Sequence, residues 1–323
     1  MNYQESAHIL EKINSAQKIL LSCHAHPDSD CVGSSTVLSG VLEKMGKQTK
    51  IICPDEVPDF LQFIEGANTV EKQRFEDFDF SEWDLYIMCD TSGWKRLFMD
   101  TNFTPPTLPL IVIDNHTSNK GFGSINLLDY ETSSVCEMLF NVLQDWNIEI
   151  TKSMATSLLA GMLGDTGSFQ FEVYKNTFSI ADKLMNLGAD RELAAYNLFN
   201  NLPLDLIKFW GLVISKLTVD PKGFAYVALT EAEYAPYLHI YGTRETAAQL
   251  IISKVGGTNF GFIMTEDTAN NSSVSFRSRG GVDTSKIAVA LGGGGHPGAS
   301  GAWIRNTPFD EALQKILDLC RAV

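Results

Sequence analysis

Short, uninterrupted apolar runs alternate with segments of helical period along the first half of the chain. Residues 5–16 set Ile9, Leu10 and Ile13 at helical spacing and predict an amphipathic helix. Lys18 to Cys23 then reads as a buried strand. Residues 34–45 place Val37, Leu38, Val41, Leu42 and Met45 on one side of a second helix. Thr49 to Cys53, Leu85 to Cys89 and Leu110 to Ile113 read as further strands. Continuous apolar runs separated by helical patterns predict a parallel sheet covered on both faces. Such sheets bind ligands outside the carboxyl ends of their strands. His24, Asp90 and Asp114 each stand just past the last apolar residue of a run, so the pattern alone gathers three polar groups at one sheet edge.

Helical spacing continues through Thr132 to Leu143, Met154 to Leu163, Asn176 to Leu187, Glu192 to Phe199 and Leu204 to Leu217. The character then changes. Phe224 to Leu229 reads as a strand, and Phe260 to Met264 pairs with Ser272 to Ser278 as a hairpin around the polar turn Glu266 to Asn271. Within Ser273 to Arg279 the period is two, so Val274 and Phe276 face a core while Ser275, Arg277 and Arg279 share the opposite face. Asp283 to Leu291 and Phe309 to Leu319 read as helices. The expected fold is α/β. A doubly wound, mainly parallel sheet occupies residues 1–200, a helical linker 201–217, and a smaller α/β domain 218–323.

Composition narrows the function classes. The 323 residues are 44% hydrophobic and 20% charged, as expected of a globular protein. No segment reaches the roughly 20 apolar residues of a membrane span, and the start of the chain lacks a signal-peptide pattern. Six cysteines without a CxxC pair suggest reduced, buried thiols and a cytoplasmic protein. Net charge is −14, with no Lys/Arg run to neutralise a long phosphate backbone. A small phosphorylated molecule remains possible as a substrate, provided cations and a few arginines supply the positive charge.

The chemistry-bearing residues lie in clusters. His24-Ala25-His26-Pro27-Asp28-Ser29-Asp30 combines imidazole and carboxylate around a proline-stiffened turn. Asp28 and Asp30, two apart, can address different ions, although an Asp at this point also suits a helix N-cap. Asp90 in Cys89-Asp90-Thr91-Ser92-Gly93 can serve as a bridging carboxylate or as an ordinary turn residue. Asp114-Asn115-His116 ends another strand, and Gly164-Asp165-Thr166-Gly167 offers either a ligand or a helix C-cap. Gly292 to Gly301 holds His296 among glycines whose backbone N–H groups can approach an anion. Imidazole with carboxylate is a ligand set for Mn²⁺, Zn²⁺ or Fe²⁺.

In this order the motifs resemble those of the DHH phosphoesterase superfamily, in particular its short two-domain members, which degrade nanoRNA and dephosphorylate pAp. HxxPDxDxxGS matches His24 to Ser34, and the second motif matches Asp90. The DHH triplet matches Asp114-Asn115-His116, the fourth motif Gly164 to Gly167, and GGGHxxAxG matches Gly293 to Gly301. The resemblance spans nearly the whole chain. It implies two divalent cations, Mn²⁺ by preference, that activate a water between them. One ion would take His24, Asp28 and Asp90; the other Asp30, Asp90, Asp165 and the position here occupied by Asn115. Asparagine replaces the family's imidazole there and implies a weaker second site. Asp114 would orient its neighbours and His116 would protonate the leaving oxygen. Arg277, Arg279, Gly294, Gly295 and His296 would contact the substrate. The resemblance further implies a homodimer and short RNA or nucleotides as partners. Other readings are a phosphodiesterase acting on pApA or c-di-AMP, and a nucleotide-binding sensor without catalysis.

Overall fold

The computed structural model of the protein describes residues 2–98, 104–171, 173–240, 243–250, 252–279 and 281–323. The chain divides between Asn201 and Leu202 into two compact units.

The first unit carries β1 (Lys18–Ser22), β2 (Gln48–Cys53), β3 (Val70–Lys72), β4 (Leu85–Cys89), β5 (Leu110–Asp114) and β6 (Ile125–Leu128). All pair in parallel in the order β3-β2-β1-β4-β5-β6. The order reverses between β1 and β4, which opens a crevice at their carboxyl ends. Alternate side chains of these buried strands serve different layers. Ile19 and Leu21 pack with the helical side, whereas Leu20 joins Tyr86, Met88 and Val112 against loop aromatics such as Phe75 and Phe80.

The helices of this unit are α1 (Glu5–Ser15), α2 (Ser29–Lys44), α3 (Val135–Asp145), α4 (Lys152–Asp165), α5 (Thr177–Asn186) and α6 (Arg191–Ala195), the last running into a π-helical turn at Tyr196–Asn200. Helix α2 begins well before the expected residue 34. Asp28 caps it, its side chain accepting from the N–H groups of Asp30 and Cys31. Ser29 and Asp30 therefore lie in a helical first turn rather than in a loop. Helices α2 and α4 approach closely over small residues. A Cβ on Gly33 would stand 2.8 Å from the Ser157 carbonyl oxygen, and one on Gly161 would stand 2.7 Å from Asp30 Oδ1.

The second unit opens with α7 (Leu204–Ser215). This helix, expected as a linker, buries Leu206, Phe209 and Val213 against Val227, Leu229 and Ile263 of the second unit. There follow β7 (Thr218–Asp220), β8 (Phe224–Leu229), α8 (Glu231–Tyr234), α9 (Thr243–Leu250), β9 (Phe260–Thr268), β10 (Asn271–Ser278), α10 (Thr284–Ala290), β11 (Gly294–His296), β12 (Ala299–Ile304) and α11 (Phe309–Arg321). The sheet order is β11-β12-β10-β9-β8-β7, antiparallel except for β8 with β9. One face packs on Ile287 of α10 and Ile316 of α11, and the other on α7 and α9. The glycine-rich segment is partly a strand, because Gly294 to His296 pair with Ala299 to Gly301. No helix among the described residues is long and apolar enough to cross a membrane.

Candidate metal centre

Strand β1 ends two residues before His24, and β4 ends one residue before Asp90. Because β1 and β4 are neighbours, the two side chains meet in the crevice: His24 Nε2 lies 3.2 Å from Asp90 Oδ2. Both are buried, at 1% and 2% exposure. The His24 ring is fixed from its other side, where Nδ1 lies 2.9 Å from the Ala25 carbonyl oxygen. That bond leaves Nε2 facing the carboxylates, with Asp28 Oδ2 at 3.6 Å. Asp28 thus works with both oxygens, Oδ1 capping α2 and Oδ2 turned to the centre.

Asp90 sits between two histidines. Its backbone adopts φ 52°, a left-handed conformation that Asp tolerates better than most residues. Its Oδ1 lies 3.5 Å from His116 Nδ1. That nitrogen is bound instead to Asp114 Oδ1 at 2.8 Å. Asp114 Oδ2 in turn accepts from Asn119 Nδ2 at 2.7 Å. Asp90 Oδ1 is consequently buried and accepts no hydrogen bond from any described residue. Two groups of candidate ligand atoms, each gathered within 4.8 Å, share this residue: His24, Cys31 and Asp90, and Asp90, Asp114 and His116.

Asp30 is fully buried behind this pair. Its two oxygens accept the N–H groups of Val135 and Cys136, each at 2.7 Å, at the N-terminus of α3. Helix starts favour negative charge there. Asp165 closes α4, half-buried, near enough to feel the charges of Asp30, Asp28 and Asp90. It is followed by an unusual turn in which Gly167, Ser168 and Phe169 are all left-handed. Asn115 directs its amide nitrogen to the Thr132 carbonyl at 3.2 Å.

The electrostatics follow from crowding. Burial, then the charges of Asp90 and Asp28, pushes the Asp30 carboxyl up to about 8. Asp90 and Asp165 are raised in the same way, burial leading in both. Burial acts to lower His24, but its bonds to Asp28 and Asp90 outweigh that and raise it to about 11. His116 is raised to about 9, first by its bond to Asp114. Without a cation, protons must neutralise these packed carboxylates. A buried acceptor without a donor costs about 1–3 kcal/mol, and more when charged. Oxygen and imidazole donors converging around such an atom fit a divalent metal of the Mn²⁺, Zn²⁺ or Fe²⁺ kind.

Of the residues expected from sequence, His24, Asp28, Asp90, Asp114 and His116 converge directly, with Asp30 and Asp165 behind them. Arg277, Gly294, Gly295, His296 and Arg279 lie in the second unit. Arg277 donates to Gln249 and to the Phe276 carbonyl. Arg279 donates to the carbonyls of Val255 and Thr258, which engages its guanidinium in a turn. Three further residues neighbour the centre: Cys31, which the sequence favours as a packed thiol over a ligand, and Arg96 and Asn119, which the sequence reading did not single out. Cys31 Sγ lies 3.2 Å from the His24 amide nitrogen. Arg96 Nη2 stands 3.4 and 3.5 Å from the two His24 ring nitrogens. Asn119 holds Asp114. Arg96 follows Asp90 by six residues in a turn without periodicity, so only its charge so near a strand end could have flagged it.

Comparison with known proteins finds relatives of both units. Residues 18–162 match the DHH family N-terminal domain, and residues 242–323 match the DHHA1 domain. The chain is 27% identical over 322 residues to the bifunctional oligoribonuclease and PAP phosphatase NrnA of Bacillus subtilis, covering 96% of each protein. A protein of the same name from Thermus thermophilus is 27% identical over 315 residues, covering 94% of this chain and 89% of that one. The crystal structure of an exopolyphosphatase-related protein from Bacteroides fragilis shares the fold, with TM-score 0.89 at 24% identity over 98% of this chain and 96% of that one.

Proposed function

We propose, from the premise that this chain belongs to the DHH family, that it is a metal-dependent hydrolase of short oligoribonucleotides, releasing mononucleotides and also converting pAp to AMP. The observation that carries the reading is the Asp90 carboxylate, shared between His24 and His116 with one buried oxygen unmatched. His24, Asp28 and Asp90 would hold one divalent cation. Asp30, Asp90 and Asp165 would hold a second, with Asn115 offering a neutral amide oxygen where imidazole binds better. Mn²⁺ suits this mixture of oxygen and nitrogen donors. Bound cations supply Lewis-acid polarisation of a phosphoryl oxygen and a water of lowered pKa.

The chain's own groups do the remaining work. Asp114 accepts from His116 Nδ1, which fixes the ring and turns Nε2 outward with the proton the leaving oxygen needs. The raised pKa of His116 keeps that proton in place at neutral pH. Asn119 prevents Asp114 from rotating away. Arg96, exposed beside His24, is a further cation for a phosphate that arrives there. In the second unit, Arg277 and the backbone around Gly294, Gly295 and His296 would hold a substrate phosphate. The reading includes a homodimer, supported by the exposed apolar side chains Phe178, Met185, Leu193, Tyr196 and Phe199 on α5, α6 and the π turn, and checked by light scattering.

The test is turnover of pAp, pApA and a three-nucleotide RNA with Mn²⁺ by the parent and by Asp90→Ala. The parent should release mononucleotides, and the variant should lose at least about 10³-fold in rate, as expected when two-ion activation is removed. Turnover retained by Asp90→Ala removes the bridging role. Turnover by the parent of pApA alone would favour the dinucleotide phosphodiesterase reading, and binding of all three without turnover the sensor reading.

A further inference from the structure

The second unit displays one exposed tryptophan on a strand. Trp303 lies in β12 and is 60% exposed, whereas the other four tryptophans are buried or half-buried. Strand register fixes what shares its face. Trp303 pairs with Ser273, which pairs with Thr265. Two residues along, Gly301 lies between Ser275 and Gly294; two further, Ala299 lies between Arg277 and His296. The indole and the Arg277–His296 end are therefore on one side of the sheet, four residues apart along β12, or about 13 Å. Between them stand glycines and a serine. A Cβ on Gly294 would meet nothing within 4 Å, so the β11 edge of this shelf is open, whereas Ser273 and Ser275 on β10 are buried.

The ring is braced. Arg244, from α9, places its guanidinium 5.8 Å from the Trp303 ring centroid. Arg244 is itself only 14% exposed and is held by Asp267, Thr265 and Ser273. Asp267 pairs with its charge while the guanidinium carbon stays over the indole. Gln249 of the same helix holds Arg277. One helix thus positions the residues at both ends of the shelf. An indole kept rigid and largely in water gives up apolar burial worth having, and a flat π surface beside a cation is what a nucleobase stacks on.

We propose that Trp303, braced by Arg244, is a stacking platform for the base of a nucleotide whose phosphate lies toward Arg277 and His296. The inference rests on the nucleotide-substrate reading above and adds the residue that recognises the base. It assigns the second unit a preference for aromatic bases of any sequence, because every base has a π face.

The experiment is equilibrium binding of AMP and of ribose 5-phosphate to the full-length parent, Trp303→Ala and Trp303→Phe, with the oligomeric state of each measured in parallel. Loss of one base stack should weaken AMP binding roughly tenfold in Trp303→Ala, and Trp303→Phe should restore most of it. Ribose 5-phosphate should bind all three alike. Unchanged AMP affinity in Trp303→Ala overturns the platform, as does an equal loss for ribose 5-phosphate. A changed oligomeric state with unchanged AMP affinity assigns the indole to a subunit contact instead. Base-dependent binding by a parent that hydrolyses no short RNA would strike the hydrolase reading and leave the platform standing.

Discussion

Asp30, His24 and His116 each hold a proton in the metal-free fold that the unfolded chain would release at lower pH. The sign of the linkage follows. Asp30 is raised to about 8, so unfolding releases its proton throughout the window from its ordinary value of 3.8 to about 8. His24 and His116, raised to about 11 and about 9, act alike above their ordinary 6.5. All three make the metal-free protein less stable as pH rises from 6.5 to about 8. A cation that displaces these protons should remove the trend and bind about tenfold more tightly per pH unit for each proton released. Thermal melts between these pH values, with chelator and with Mn²⁺, check this. A flat melting profile in chelator would show that the carboxylates do not carry the protons assigned to them.

At the scale of elements, the centre depends on how closely α2 and α4 approach. Gly33 faces a backbone oxygen that cannot swing aside. Gly33→Ala should force the helices apart and cost about 1–3 kcal/mol, an overpacking penalty. Because α2 carries Asp28 and Asp30, Mn²⁺ affinity should fall with it. Chemical denaturation and metal titration of the same variant measure both, and an undisturbed metal affinity would separate helix spacing from ligand placement. Much of this architecture was legible beforehand. The runs at Ile19, Ile87 and Ile111 are apolar without alternation because they are central strands, and central strands place whatever follows them at the crevice. The start of α2 was not legible. Pro27-Asp28-Ser29-Asp30 suits a turn as well as a cap, and only the Asp28 bonds to the following N–H groups decide. Strands β3, β7 and β11 span three residues each, too few for a period to register. Of the candidate site, His24, Asp90 and Asp114 are legible through their position at strand ends, and Asp28, Asp30 and Asp165 only as polar clusters beside helices. Arg96 and Asn119 are not, since a lone cation and an Asn in a turn carry no pattern of their own, and Cys31 beside the first cluster reads as a packed thiol more readily than as a ligand. The double duty of Asp28, as cap and as candidate ligand, was posed in the sequence as a choice; the geometry accommodates both.

For the whole molecule, a net charge of −14 opposes any long polyanion. Relative to a three-nucleotide RNA, one of 24 nucleotides should be processed at least about tenfold more slowly, because each added phosphate meets a repulsive surface without a basic track to offset it. Initial rates across a length series at fixed ionic strength check this, and equal rates at both lengths would point to a path for polymer that the charge distribution does not suggest.

Two of the acidic groups are tied to the start of a helix, Asp28 to α2 and Asp30 to α3, through bonds to main-chain amides. Their anchorage belongs to the scaffold and not to the ion. Stripping the cation should leave the cradle standing, ready to be refilled, so that one metal can be exchanged for another in the intact protein without a cycle of collapse and reassembly.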